Sequence, residues 1–276
     1  MYFSCDVGAT KTRIGFSRDC KKIENIIIKN TPKNFNDGVN NIVGSILDIL
    51  AHQKTKKIRG VILGVPGLLD KEKIKIKKAP NLPLWQNKPI KKYLENKLRT
   101  KVFLENDTAL VGLGEAVYGA GKGYKVVSYL TISTGVNGVK IENGKIDENV
   151  FGFELGHQVL AIEKNKPVYI ERLIGGRWLK EKYKKEPYNI KDKKVWQEVE
   201  KNVAILVNNA IVHWSPECVI LGGSITKSLN INNVRNIVKE ICIFPRLPYI
   251  LKSKFSDVAG IYGGLYFLYK NDRCSL

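Results

Sequence analysis

Three short apolar runs open the chain, Tyr2–Asp6, Arg13–Ser17 and Ile23–Lys29, each closed by polar or glycine-bearing residues, and this punctuation predicts three hairpin-linked strands. From Asn36 to His52 the period lengthens, with Val39, Ile42, Val43, Ile46, Leu47 and Leu50 recurring at helical spacing. A buried strand over Gly60–Val65 ends in Pro66-Gly67. Lysine then alternates with isoleucine over Lys73–Lys78, the pattern of a half-exposed edge hairpin strand. A turn-rich stretch, Ala79–Trp85, leads to a helix over Lys88–Lys97, a strand over Val102–Glu105 and a helix from Thr108 to Tyr118. Glycines concentrate over Gly119–Gly123, after which the plan repeats. A strand from Val126 meets the turn Ser133-Thr134-Gly135, then come a strand over Gly138–Glu142, the hairpin Glu142–Lys145, helices, a strand over Val219–Leu221, glycines and a helix. Gly260–Tyr269 reads as an apolar helix that packs back onto the first half. The pattern predicts an α/β chain of two domains, 1–122 plus 261–276 and 123–260, each a mixed sheet flanked by helices.

Composition narrows the class without naming a chemistry. With 276 residues, 43% hydrophobic and 26% charged, the chain can bury a core for two ordinary domains, which excludes disordered and fibrous readings. Cys5, Cys20, Cys218, Cys242 and Cys274 include no C-x-x-C pair, so neither a disulfide framework nor a thiolate zinc site is indicated, and a reducing cytoplasm is expected. Met1-Tyr2-Phe3 begins without a basic leader, and no apolar run approaches the ~18 residues of a membrane helix. The net charge of +20 is spread along the chain, in stretches such as Lys73–Lys78 and Lys180–Lys185, and reads as a solvated lysine-rich surface. No aromatic-basic platform of the RNA-binding kind accompanies it, so no nucleic acid and no membrane partner is expected, although the charge would attract an anionic cosubstrate.

The candidate chemistry lies in the turns. Asp6-Val7-Gly8-Ala9-Thr10-Lys11-Thr12 places an acid, a glycine and two hydroxyls in one hairpin, where Gly8 lets amides approach an anion, Thr10 and Thr12 offer hydroxyls, and Asp6 can hold a hydrated cation. Thr131–Gly138, with Thr134 and Gly135, repeats the idea, and Gly222-Gly223 after a buried strand leaves backbone bare for a base or ribose. None has the G-x-x-x-x-G-K-[ST] spacing of a P-loop. Two phosphate-type turns on two similar halves suggest a nucleotide clamped between domains. Asp107, at the passage from strand to helix, has two readings, acid–base catalyst or helix N-cap, and the local sequence favours the cap. Asn106 beside it adds an amide suited to sugar hydroxyls. Glu154, His157 and Glu171 make either a polyol-binding ring or, less well with one histidine and no thiolate, a metal site. His52 and His213 read as surface or helix-packing residues.

Taken in order, Asp6-x-Gly8-x-Thr10, Gly64-Val65-Pro66-Gly67, Ala79-Pro80-Asn81-Leu82 with Trp85, Glu105-Asn106-Asp107, Ser133-Thr134-Gly135, Glu154-x-Gly156-His157 and Leu221-Gly222-Gly223 resemble the ROK family of sugar kinases, in the actin-like ATPase superfamily. The resemblance covers nearly the whole chain and implies two actin-like, ribonuclease H-like domains with a cleft between them. It makes Asp107 the general base, and gives the sugar to Asn106, Glu154, His157 and Glu171 with Gly67 and Asn81 nearby. ATP falls to Asp6, Gly8, Thr10, Lys11, Thr12, Thr134, Gly135, Gly222 and Gly223, with magnesium held by Asp6 through water. Family members commonly carry a histidine and three-cysteine zinc site between the E-x-G-H segment and the next acid. This chain has no cysteine between Cys20 and Cys218 and only a short stretch from His157 to Glu171, so the resemblance implies a deleted zinc loop and no zinc. Ser133 and Asn137 depart from the family's usual glycines, and the first strand starts at residue 2, leaving no helix-turn-helix of the family's repressors ahead of it. The implied reaction is ATP-dependent phosphorylation of a hexose, glucose or a relative, at the 6-hydroxyl by a cytoplasmic homodimer. The alternatives are an N-acetylglucosamine or N-acetylmannosamine kinase and a catalytically inactive sugar sensor.

Overall fold

The computed structural model describes residues 1–53 and 57–273 and divides the chain into two compact units. Cys274, counted above, lies outside the described residues, as do the last three positions of the C-terminal segment. The first unit comprises Met1–Gly114, Glu148–Gly152 and the chain from Asp257 onward, and the second Glu115–Asp147 and Phe153–Ser256.

In chain order the first unit carries β1 (Tyr2–Val7), β2 (Lys11–Ser17), β3 (Asn25–Asn30), α1 (Phe35–His52), β4 (Gly60–Val65), β5 (Leu68–Leu69), β6 (Ile76–Lys78), α2 (Ile90–Leu98), β7 (Val102–Asn106) and the start of α3 (Asp107–Val117). Its five-stranded sheet has the order β3-β2-β1-β4-β7, antiparallel on the hairpin side and parallel from β1 to β7. The second unit carries β8 (Val126–Ile132), β9 (Val136–Glu142), β10 (Lys145–Ile146), β11 (Val159–Glu163), β12 (Lys166–Tyr169), α4 (Glu171–Ile174), α5 (Gly176–Tyr183), α6 (Lys193–Trp214), β13 (Cys218–Gly222), α7 (Ile231–Ile241) and β14 (Tyr249–Lys252). Its sheet, β10-β9-β8-β13-β14, repeats the same pairing scheme strand for strand. The last helix, α8 (Ala259–Arg273), belongs to the first unit, where it packs on β1 and β4. Two mixed sheets of one topology, each flanked by helices, constitute the α/β fold that the sequence resemblance implied.

Strand interiors follow from burial on both faces: all six residues of β4 and all five of β13 are buried, which their Val, Ile, Leu and Gly runs allow. Along α1 the inward stripe is Val39, Ile42, Val43, Ile46, Ile49 and Leu50, so Ile49 takes the place the periodicity had given to Leu47, which is exposed. Asn34 caps this helix by accepting from the N–H groups of Asn36 and Asp37. Trp85 is buried, donates through its indole N–H to the Pro32 carbonyl, and lies so close to α1 that a Cβ on Gly38 would fall 2.0 Å from its ring. This contact fixes the turn that carries Asn81.

Two expectations need correction. The lysine–isoleucine stretch forms a strand only over Ile76–Lys78, because Lys73 turns left-handed (φ 50°), leaving Ile74 exposed and Ile76 wholly buried. The stretch after the second hairpin, expected to be helical, contains the hairpin β11–β12, whose turn residues Lys164 and Asn165 both have positive φ. Of the glycines at 119–123, Gly119 and Gly121 serve packing, and a Cβ on Gly119 would meet the buried Glu115 carboxylate, which accepts from the N–H groups of Ala120, Lys254 and Phe255, while Gly123 is left-handed (φ 98°) with open space around it.

Candidate active site

In the first sheet β1, β4 and β7 run parallel, and their carboxyl ends bring together Asp6, the Pro66-Gly67 turn and Asn106-Asp107. Carboxyl ends of this kind are where open α/β sheets present ligands. Gly64 pairs with Asp6 and Glu105, and its missing side chain admits the first turn of α3: a built Cβ would lie 3.3 Å from the Asp107 Cα. The helix N-cap is Asn106, not Asp107. Asn106 Oδ1 accepts from the Ala109 N–H at 3.1 Å, while its Nδ2 donates to the Gly67 carbonyl at 3.1 Å. Asp107 is thus the first helical residue, half-buried, with Oδ1 accepting from the Thr108 N–H at 2.7 Å. Assignment of the cap to Asn106 removes the structural reading that local sequence had favoured for Asp107. Gly67 is left-handed (φ 86°) and packed against Lys78-Ala79, so the turn bearing the exposed Asn81 leaves from the same place.

Asp6 is 18% exposed and shares Arg13 with Asp257: the guanidinium lies 3.5 Å from Asp6 and 3.3 Å from the exposed Asp257. Burial pushes the Asp6 carboxyl up from 3.8 to about 6, with Arg13 pulling the other way. The turn that follows is anchored by its backbone, Gly8 N–H donating to the Lys11 carbonyl and Thr31 N–H to the Thr10 carbonyl, which leaves the Thr10 and Lys11 side chains exposed. Thr12 is different. It is buried, with its hydroxyl 2.8 Å from that of Thr31, so it braces the hairpin from inside and does not offer its hydroxyl as expected.

The raised Asp6 value has a stability consequence. An acid that stays protonated longer when folded makes the native state bind the extra proton between pH ~4 and ~6, so stability falls as pH rises through that window. Asp6→Asn lacks this dependence, and its thermal midpoint relative to the parent should climb across the window by the equivalent of at most about 3 kcal/mol, then stay level above pH ~7. Melting curves of both proteins from pH 4 to 8 measure it, and parallel curves would remove the burial account of Asp6.

The second unit presents its turns at the corresponding place. β8 ends at Ile132 and β13 at Gly222, neighbours in one parallel pair. The Ser133-Thr134-Gly135 turn is held by the start of α5, where the Gly176 and Arg177 N–H groups donate to the Ser133 and Thr134 carbonyls at 2.7 and 3.0 Å. Thr134 is exposed. Gly135 faces the Glu171 carboxylate, which accepts from the Val136 N–H at 2.8 Å and also lies against Gly156. Glu171 therefore ties the phosphate-type turn to the E-x-G-H segment. His157, 60% exposed, sits 3.4 Å through Nδ1 from Glu154 with its ring against Tyr169, not in the core where a lone histidine among apolar residues usually lies. Gly222 and Gly223 have packing reasons of their own: a Cβ would strike the Tyr129 hydroxyl at the first and the Ile132 carbonyl at the second, where φ is 92°.

Ser133 and Thr134 open into a pocket of ≈ 610 Å³ walled by Pro187, Tyr188 and Ile225 and edged by Arg177, Lys180 and Lys227. No motif in the sequence singles these residues out. Lys180 had been placed among surface lysines, and the signal available was an exposed aromatic beside a lysine run. A hydroxyl-lined mouth, an apolar wall and basic residues at the edge, of which Lys180 is paired with Glu186 in the same lining, suit a nucleotide.

Among the described residues no group of three or more His, Cys, Asp or Glu side chains is placed to hold a metal ion, and no helix is long and apolar enough to cross a membrane.

The family model described as "ROK family" matches residues 2–271. A glucokinase of Thermotoga maritima is 31% identical over 167 residues, 59% of this chain and 51% of that protein, so the match spans about half the relative's length. An N-acetyl-D-glucosamine kinase of Histophilus somni is 27% identical over 308 aligned positions, 99% of this chain and all of that protein. The crystal structure of a ROK hexokinase from Thermus thermophilus superposes with a TM-score of 0.85 at 24% identity, covering 98% of this chain and 99% of that one.

Proposed function

The chain belongs to the ROK family, and from that premise we propose that it is an ATP-dependent sugar kinase that phosphorylates a hexose at the 6-hydroxyl. The observation that carries the reading is the pair at the end of β7, where Asn106 caps the helix and is tied to Gly67 and the Asp107 carboxylate stands beside it at the ligand-facing edge of the sheet. In this reading Asp107 accepts the hydroxyl proton as the sugar oxygen attacks the γ-phosphoryl group. In this reading the sugar contacts of the first unit are Asn106, Gly67 and Asn81, and those of the second unit are Glu154, His157 and Glu171. Within the first unit the Thr10 and Lys11 side chains of the Gly8–Lys11 turn serve phosphate, and within the second Thr134 does so, with the adjoining pocket bounded by Tyr188, Ser224 and Ile225 taking the base and ribose.

Asp6 fits magnesium by donor chemistry, a hard carboxylate whose raised value a cation would restore, with water and phosphate completing the shell. When bound, the ion supplies neutralisation of charge on the transferring phosphoryl group.

The full-length alignment with an N-acetylglucosamine kinase supports an N-acetylhexosamine as the second acceptor to test. ADP release from MgATP across hexoses, N-acetylhexosamines and pentoses decides: we expect sugar-dependent release highest with a hexose. Preference for an N-acetylated sugar moves the substrate, and release with no sugar dependence removes the kinase reading.

A further inference from the structure

Lys73 belongs to the lysine stretch that the sequence presents as solvated surface, yet its ammonium forms an ion pair with Glu105, 32 residues away and only 4% exposed. The hairpin turn is shaped to deliver it. Asp70 accepts from the N–H groups of Ile74 and Lys75 at 2.7 and 3.1 Å, its carbonyl accepts from the Lys73 N–H at 2.9 Å, and Lys73 takes the left-handed conformation (φ 50°). The other Glu105 oxygen accepts from the Asn106 N–H at 2.9 Å. Asn106 in turn donates to Gly67, the residue from which the β5–β6 hairpin departs. A closed circuit results: Gly67, β5, the turn, Lys73, Glu105, Asn106 and back to Gly67.

We infer that Lys73 is a positioning residue for phosphoryl transfer, holding the Glu105 carboxylate in place so that the Asn106-Asp107 segment stays in register with the Gly67 turn. The inference rests on the reading of Asp107 as the base. Without the ammonium the Glu105 carboxylate turns toward water, which releases the Asn106 N–H it holds. Displacement of the base by a fraction of an ångström follows, and such displacements are felt in turnover before binding. The neighbouring Lys77 is exposed on β6 and stands outside this circuit, so it provides the control.

The test compares kcat and KM for sugar and MgATP in the parent, Lys73→Met, Lys73→Arg, Lys77→Met and the double variant Lys73→Met/Glu105→Gln, with melting curves on each. Lys73→Met should lower kcat by about 10-fold or more while the KM for MgATP stays within about twofold, because the defect lies in orientation. Lys73→Arg keeps the charge and should recover most of kcat. The double variant removes both charges and retains an acceptor for the Asn106 N–H, so it should recover kcat to within about threefold of the parent, the non-additivity expected of a coupled pair. Parent-like kcat in folded Lys73→Met overturns the inference alone. So does a folded double variant with low kcat, which also decides the matter if Lys73→Met does not fold. A parent without sugar-dependent turnover overturns the kinase reading, and this inference with it.

Discussion

Asp107→Ala is expected to lower kcat by ~100-fold or more, up to about 10,000-fold, while sugar affinity changes little. The split follows from what the carboxylate does in each state. With the sugar merely bound, Asp107 contributes one hydrogen bond among several. In the transition state it takes a proton from an alcohol that would otherwise have to attack as a poor nucleophile. An interaction made mainly in the transition state is lost from kcat and spared in binding. The helix should survive the change, since its cap is Asn106 and not Asp107. Asp107→Asn makes the same point with less change of volume. Steady-state kinetics beside calorimetric sugar binding measure the two quantities, and near-parent turnover in either variant would remove Asp107 from the base role.

Gly67→Ala is expected to damage both stability and sugar binding. Its backbone lies at φ 86°, where an L side chain costs roughly 1–2 kcal/mol. The added Cβ would also fall 2.0 Å from the Lys78 carbonyl oxygen, a backbone atom that moves only with its strand. We expect a loss of about 3 kcal/mol, equivalent to a fall of roughly 5–10 °C in the melting midpoint. The turn must shift to relieve the clash, and Asn106 then loses the carbonyl it donates to. Sugar affinity should fall by about tenfold or more, since one lost charge-free hydrogen bond and a displaced partner together exceed 1.4 kcal/mol. Gly64, whose built Cβ meets its nearest neighbour at 3.1 Å, should tolerate alanine better. Equal melting midpoints for the parent and Gly67→Ala would contradict this account of the turn.

The fold was legible where the chain's own period decides the matter. Val39 through Leu50 announce α1, and the Val-Ile-Leu runs of β4 and β13 can be nothing but buried strands. The duplicated plan was readable from two strand–turn–strand openings at Asp6 and Thr131. What escaped depends on partners distant in sequence. Nothing near Lys73 says that one lysine of the four in Lys73–Lys78 bends back to Glu105, and nothing near Thr12 says that Thr31 takes up its hydroxyl. The cap at Asn106 was hidden for a related reason: Asn and Asp are both good caps, and only the position of the Ala109 N–H separates them. The β11–β12 hairpin is not legible in the sequence because neither strand has a buried residue, so that no buried face imposes an alternation to read. Tyr188 and Lys227 meet Ser133 only through the tertiary pocket.

Phosphorus NMR of MgATP and the preferred hexose, incubated with the parent and with Asp107→Asn side by side, tests the central claim most directly. For the parent we predict a new phosphomonoester signal coupled to the protons of the sugar's primary carbon, growing in step with ADP, and for the variant no such signal in the same time despite bound sugar. A phosphate ester formed by the variant at the parent's rate, or ADP appearing in the parent sample without any sugar ester, would contradict it.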